Sequence, residues 1–477
     1  MRLFLIGWAG AFEELVDVAS ELKKRGHEIA YWSRFNGMPV DASRFPGTIF
    51  HDHFDALARL PASGIDSDGF EPPGEDLIRR MFETESLVLS MMNKKFEWMA
   101  VNERKHVYYE FLRYWNGVIQ KFKPDMVIFS AVPHTVYDFV IYSLAREFGI
   151  KTLFFDFSLI SDRVVALNDY RAGPIGMAEE LERNRAKKPA LSDVSLDLRE
   201  YYLSQIDRRR DPTPIYVKQD QRVYRGTGFL KLKFQVIAAN IKNFRIFERV
   251  WNLMFKKIWR NLRIEYTNVQ SVPDFEKKFI YAPLSYQPEG STSPFGGIFV
   301  EQPFMLEILS SVMPDGWLIY VKEHPMQWPR RGTGFFSYRY DGYYRRLAKL
   351  KNVRLIPIET DTYTLLEKSK AVAVVSGTAG WEAVLRRKPA LVFGYPWYQQ
   401  CPGVFHVHDA VSARRATEKI SAGFSPDEDD IIAYLFSFDR ISFHGYLDEY
   451  GRQISTISPR KNTSNLTEAI EKEITKV

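Results

Sequence analysis

Apolar and polar positions along the chain fall into two blocks of alternating strand and helix signals, separated by a long stretch where that alternation stops. In the first block, Leu3-Phe-Leu-Ile6 predicts a buried strand and Gly7-Trp-Ala-Gly10 a tight turn. Phe12, Leu15, Val16, Ala19 and Leu22 then recur at helical spacing, and Gly26 supplies a C-cap. Further strands are expected at residues 29–32, 126–130 and 151–155, with a loop rich in Pro, Gly and Asp over 39–74, helices through Lys121, and a helix over 137–148. The second block predicts strands at 279–284, 317–321, 353–358, 371–375 and 389–393, with helical segments between them. Such alternation predicts an α/β protein whose parallel sheets carry helices on both faces.

A chain of 477 residues exceeds what one hydrophobic core usually supports. The expected division is an N-terminal domain over 1–165, a polar helical linker or insertion over 166–272, a second α/β domain over 273–425, and C-terminal helices over 426–477 that cross back to the first domain.

Composition changes this picture little: 45% hydrophobic and 26% charged residues are ordinary for a globular protein. One cysteine, Cys401, excludes an internal disulfide framework and suits a reducing, cytoplasmic setting. The short apolar N-terminus runs at once into Glu13, Glu14 and Asp17, so it reads as a first strand and not a signal peptide. No window offers the roughly eighteen uncharged apolar residues of a membrane-spanning helix.

Charge distribution says more than the net +6. Residues 221–263 hold eleven Lys and Arg against a single acid, Glu248, so the rest of the chain is net acidic. Phe229, Phe234, Phe244, Phe247, Trp251, Phe255 and Trp259 are interleaved with those charges. Aromatics among basic residues suit the headgroup region of an anionic membrane. Aromatics packed inside with lysines outside would give the same composition, and no nucleic-acid module accompanies it.

Candidate chemistry lies where strands of the second block end. Ser376-Gly-Thr-Ala-Gly380 follows an apolar strand and opens a helix. Gly377 and Gly380 would let the backbone approach an anion, with Ser376 and Thr378 adding hydroxyls; equally, Ser376 or Thr378 could cap the helix with no ligand. Glu382, one turn on, could accept from ribose hydroxyls or complement the helix dipole. Lys322-Glu-His-Pro325 ends another strand and brings a cation and a proton donor, His324, to the same edge. A third edge, residues 281–293, offers Gln287, Glu289, Ser291 and Thr292.

The order Tyr-x-Pro-Leu-x-Tyr-Gln-Pro-Glu from Tyr281, Val-Lys-Glu-His-Pro from Val321 and Ser-Gly-Thr-x-Gly-x-Glu-Ala from Ser376 resembles the bacterial capsule and surface polysaccharide biosynthesis family, which includes Kdo transferases. The resemblance is good over 279–396 and looser in the first domain, where it rests on Pro133-His134. It implies the GT-B fold, two Rossmann-like domains facing across a cleft, and transfer of a sugar from a nucleotide sugar to a glycan or lipid-linked glycan. A CMP-linked acidic sugar such as Kdo is the favoured donor. Lys322, His324, Gln287, Glu289, Ser376, Gly377, Thr378, Gly380 and Glu382 become donor-site residues by the same resemblance, His324 with a catalytic role. No Asp-x-Asp pair of the kind that holds a divalent ion in metal-dependent transferases accompanies these motifs, so neither a metal nor any other cofactor is expected. A base is expected from the first domain, with Glu13, Glu14, His134 and Asp156 as candidates. A nucleotide-sugar 2-epimerase of the same fold, or a non-catalytic nucleotide-sugar or glycan binder, are the alternatives. The implied location is the cytoplasm, peripheral on the inner face of the membrane.

Overall fold

A computed structural model describes residues 1–8, 13–35, 40–207, 261–328 and 338–476. Most of the basic aromatic segment, 221–260, therefore lies outside the described residues.

Two sheets organise the chain. The first contains β1 (Arg2–Ile6), β2 (Glu28–Arg34), β3 (Ile49–Asp52), β4 (Met126–Phe129), β5 (Lys151–Phe157), β6 (Arg163–Leu167) and, from the far end of the chain, β13 (Phe443–His444), in the order β13-β6-β5-β4-β1-β2-β3. Strands β1 to β5 are parallel, while β6 and β13 add antiparallel at one edge. The second contains β7 (Phe279–Pro283), β8 (Leu318–Lys322), β9 (Val353–Leu355), β10 (Ala371–Val374), β11 (Ala390–Val392) and β12 (Val404–His406), all parallel, in the order β12-β11-β10-β7-β8-β9. These are the two Rossmann-like halves of a GT-B architecture.

The period-two apolar pattern sorts the side chains to the two faces. Leu3, Leu5, Met126, Ile128, Leu153 and Phe155 pack with Leu15 and Leu22 of the helix Glu14–Lys24 and with Leu466 and Ile470 of the helix Pro459–Thr475. Phe4, Ile6, Val127, Phe129 and Phe154 face the opposite way, against the helices Val101–Phe122 and Tyr137–Glu147. Each such side chain, fully buried, contributes about 1.5–3 kcal/mol of transfer free energy. The C-terminal helix thus returns to the first sheet, to which β13 also adds.

The halves touch. Tyr338 Oη donates to Ser90 O at 2.6 Å, Gln399 Nε2 donates to Arg171 O at 3.0 Å, and the Tyr170 and Tyr395 rings meet at 5.8 Å. The helix Leu262–Val269 packs on the second sheet through Leu262 and Tyr266, so the second core takes in residues that read as linker. Four strands stand where no strand was expected, the three-residue edge strand β12 among them. β3 lies in the Pro- and Gly-rich stretch and β6 in the polar one, and β13 has only two residues. Each lies at a sheet edge or next to one, and β3, β12 and β13 are too short for a period-two signal to show.

Candidate active site

In the second sheet β7 lies between β10 and β8, so the chain leaves β7 in opposite directions on either side of it. A ligand crevice forms at the carboxyl ends of strands flanking such a switch point. After β10 the helix Thr378–Leu385 begins, and its N-cap is Gly377 in extended conformation (φ −69°, ψ 154°), with no side chain accepting from the first helical N–H groups. The expected alternative of a Ser376 or Thr378 cap is not adopted. Ser376 Oγ instead donates across the switch point to Ser291 O, and the Thr378 hydroxyl hydrogen-bonds Glu382. Uncapped N–H groups and the helix dipole together leave a positive end at this edge.

The two glycines differ. A methyl at Gly377 would meet nothing within 4 Å, whereas one at Gly380 would lie 2.5 Å from Tyr398 Oη and 2.9 Å from Val374 Cγ2. Gly377 leaves open space at the edge; Gly380 lets the helix close onto the strand. Tyr398 Oη also donates to Gly377 O at 2.5 Å, fixing the turn.

At the ends of β7 and β8 a buried polar network sets the loops. Arg339 is fully buried and pairs with Glu323, Nε to Oε2 at 2.7 Å, and Tyr344 Oη donates to the same oxygen at 2.5 Å. Arg339 also donates to Gln287 Oε1 and, at 3.0 Å, to Ser285 O. Gln287 Nε2 donates to Val300 O at 2.8 Å, Gln302 bonds the Gln287 side chain and the Ser285 backbone, and Gln327 bonds the Gln287 backbone. Gln287 thus holds its loop from within. Lys322 is likewise engaged, its Nζ donating to Thr360 O and Thr362 Oγ1, both at 2.7 Å, and burial pushes it down to about 8.

His324 follows this network. Its ring lies 5.4 Å from that of Tyr286, and its Nδ1 accepts from the Met326 N–H at 3.2 Å. A backbone N–H can only donate, so neutral His324 carries its proton on Nε2.

The first sheet has its own switch point, at β1 and β4. After β4 the chain passes Val132 and His134 to Val136, which holds φ 77° and ψ −74° in a γ-turn closed by Tyr137 N donating to Thr135 O at 3.1 Å. That conformation costs a β-branched residue about 1–3 kcal/mol, and strain of this kind concentrates at functional sites. His134 Nδ1 donates to Val132 O at 2.7 Å, which leaves its Nε2 lone pair as an acceptor. Gly290, in the loop after β7, faces this turn across the domains: a methyl there would lie 3.1 Å from Val132 Cγ1 and 3.6 Å from His134 Cγ. His134, the 289–291 loop and Ser376 therefore form one continuous edge.

The remaining candidates stand elsewhere. Glu14 is buried, accepting from Tyr446 Oη at 3.1 Å with Arg452 at 3.8 Å, which ties it to the C-terminal segment. Exposed Glu13 lies 3.6 Å from Arg44. Asp156 is near the end of β5, where burial raises its carboxyl to about 7. Glu289 accepts through its carbonyl from Thr292 N at 3.0 Å and Ser293 N at 3.1 Å. Burial also raises Glu382 to about 7, against the opposing pull of Arg386. Arg339 and Glu323 were not singled out as site residues from sequence; nothing in Ser-Tyr-Arg-Tyr announces a buried cation, and its hydrogen-bond partners lie on two other segments, the ends of β7 and β8. Among the described residues no group of three His, Cys, Asp or Glu is arranged around a metal position.

Residues 291–425 match the family model for capsule polysaccharide biosynthesis proteins, a span from the loop after β7 to the residues following the helix Ala410–Ser421. No curated protein matches the sequence. Among solved structures the chain is similar to the beta Kdo 2,7 transferase KpsC of Thermosulfurimonas dismutans, at 15% identity over 74% of this chain and 88% of that one, TM-score 0.29. It is also similar to the UDP-GlcNAc 2-epimerase of Methanocaldococcus jannaschii, at 13% identity over 92% and 98%, TM-score 0.25. For the Neisseria meningitidis UDP-GlcNAc 2-epimerase the figures are 14%, 100% and 100%, with TM-score 0.23. Likenesses this distant leave the choice between transferase and epimerase to the site itself.

Proposed function

We propose that this chain, whose residues 291–425 carry the capsule polysaccharide biosynthesis signature, is a glycosyltransferase of capsule or surface polysaccharide assembly. The observation that carries the reading is the meeting of the two switch-point edges at Gly290, with His134 on one side and Ser376 and its uncapped helix on the other. A donor phosphate is received by the N-terminus of the helix Thr378–Leu385, where positive backbone dipole is unopposed by any capping side chain. Glu382 takes the ribose hydroxyls. His324, with its proton on Nε2, donates to the departing phosphate oxygen, and His134, with a free lone pair on Nε2, takes the proton of the acceptor hydroxyl. Lys322, Gln287 and Arg339 act behind these groups, holding the loops after β7 and β8 in register. The favoured donor is a CMP-linked acidic sugar such as Kdo, because of the Lys-Glu-His-Pro sequence, and the reaction proceeds without a metal. The acceptor is a glycan or lipid-linked glycan, met at the inner face of the cytoplasmic membrane through residues 221–263.

Thermal-shift measurement against CMP, UDP and GDP tests the donor, since a ligand that binds only the native state stabilises it by mass action. CMP is expected to give the largest shift; no shift with any nucleotide would overturn the reading. Consumption of a nucleotide sugar with no acceptor present, giving an epimer, would favour the epimerase.

A further inference from the structure

The C-terminal edge of the first sheet carries a buried hydrogen-bond relay that links the ends of β1, β2 and β3 with the start of the helix after β4. Gly7, just past β1, donates its N–H to Ser33 Oγ of β2 at 2.8 Å. Ser33 Oγ lies 3.1 Å from Tyr137 Oη, at the start of the helix after β4, and Tyr137 Oη lies 2.9 Å from Nδ1 of His53, just past β3. Ser33 and Tyr137 are fully buried, and His53 is 8% exposed.

The relay has one direction that uses every proton. Ser33 Oγ accepts from Gly7, so its own hydrogen goes to Tyr137 Oη, and the phenol hydrogen goes to His53 Nδ1. In the opposite direction the Ser33 hydrogen has no acceptor among the described residues. Burial raises the Tyr137 phenol far above its ordinary value, so it remains a donor throughout the working pH range. Neutral His53 therefore carries its proton on Nε2. The groups facing His53 are Asp138, Lys95, Asp52 and His134, and burial is the largest influence, lowering it below the ordinary imidazole value.

His53 and His134 flank Tyr137. The His53 and Tyr137 rings meet at 5.3 Å, and His134 stands three residues before Tyr137, at the entry to the strained turn. One presents an Nε2–H donor and the other an Nε2 lone pair. That pair is complementary to an alcohol, which offers one oxygen acceptor and one proton.

Resting on the glycosyl-transfer reading above, we infer that the reacting hydroxyl of the acceptor sugar is received between His53 and His134, with His53 Nε2–H donating to its oxygen. In the step, that oxygen bonds to the anomeric carbon of the donor sugar while the bond from this carbon to the donor phosphate oxygen breaks, its electron pair leaving on the phosphate. The hydroxyl proton passes to His134 Nε2. His53 stays protonated and fixes the lone pair that attacks; Tyr137 and Ser33 are positioning residues that set its tautomer.

Two measurements test this. Selective ¹⁵N-histidine labelling of the whole protein reads the tautomer directly: His53 is expected to show a protonated Nε2 and a bare Nδ1, and the reverse would overturn the inference whatever the reaction. Transfer from CMP-Kdo to a Kdo-terminated glycan is the second. His53→Ala should lower kcat/KM for the acceptor about 10²-fold while CMP affinity by calorimetry is unchanged. His53→Gln, which keeps an N–H near the Nε2 position, should recover much of it, and His53→Asn should not. Tyr137→Phe serves if His53→Ala fails to fold, and should raise the acceptor KM without changing CMP affinity. Wild-type transfer with equal rates in His53→Ala sinks the inference alone. Wild-type protein that binds no nucleotide and transfers nothing sinks the glycosyl-transfer reading and the inference with it.

Discussion

His134 and His324 are held in opposite tautomers: Val132 O takes the Nδ1 proton of the first, and the Met326 N–H occupies Nδ1 of the second. One imidazole is left with an Nε2 lone pair and the other with an Nε2 proton, the two capacities that acceptor activation and leaving-group departure require. Replacing either by Ala should lower kcat roughly 10²–10⁴-fold without loss of fold. Nucleotide affinity should fall in His324→Ala and hold in His134→Ala, as calorimetry with CMP would record. Normal turnover in either variant would remove that residue from the mechanism.

Arg339 and Glu323 form an ion pair sealed from solvent, and Gln287 and Tyr344 close it off. Removing one partner leaves a buried charge unmatched, a loss of about 3–5 kcal/mol, whereas removing both together costs much less. Arg339→Met should therefore lower the melting temperature sharply, and the double variant Arg339→Met with Glu323→Gln should recover most of it. Additive losses in the double variant would show that the pair is not coupled.

Glu382 gives a pH dependence with a definite sign. The folded protein keeps its proton up to about pH 7, because burial disfavours the carboxylate. An unfolded glutamate loses it near about 4.3. The unfolded state thus releases the proton first as pH rises, and the native state is destabilised progressively from about pH 4.3 to 7, by roughly 4 kcal/mol in all. Below that window the cost is absent; above it the cost is complete. Glu382→Gln should melt higher than the wild type at pH 8, with the difference vanishing at pH 4. If Glu382 holds ribose hydroxyls as proposed, the same variant should bind CMP more weakly, a stabilised protein with a poorer site.

How much of this was legible beforehand depended on how local the cause is. Leu3–Ile6, Phe279–Ala282 and Ala371–Val374 announce themselves as buried parallel strands because both faces are covered and the apolar run is unbroken. The strand ends carrying His324 and Ser376 followed from the same pattern. What those residues do there did not. Lys322 looks like a phosphate ligand in sequence, yet Thr360 from the turn after β9 and Thr362 at the start of the next helix occupy its ammonium. Gly380 looks like a phosphate-loop glycine, yet Tyr398 is what requires it. Arg339, His53 and Tyr137 have partners on other strands, and no spacing rule connects segments that meet only when the sheet forms.

The basic aromatic segment makes a prediction from sequence alone. With about 1 kcal/mol of attraction per Lys or Arg at an anionic surface, replacing Lys256, Lys257 and Arg260 by Ser should weaken binding to phosphatidylglycerol-containing vesicles by roughly 3 kcal/mol, about 10²-fold. Cosedimentation should fall with added salt in the wild type. Retention of full binding by the triple variant would place the contact elsewhere.

Gly377 and Gly380, three residues apart, separate ligand binding from packing. At Gly377 the backbone is extended and an added methyl meets open space, so Gly377→Ala should leave the melting temperature of the free protein unchanged. The same methyl would stand at the uncapped helix end where the phosphate is proposed to sit, so CMP affinity should drop about tenfold or more, near 1.4 kcal/mol. At Gly380 the methyl would be driven into Tyr398 and Val374, and overpacking of that kind costs about 1–3 kcal/mol. Gly380→Ala should therefore lower the melting temperature with or without nucleotide. The phosphate assignment fails if Gly377→Ala binds CMP as tightly as the wild type, because nothing in the protein itself stands in the way of that methyl.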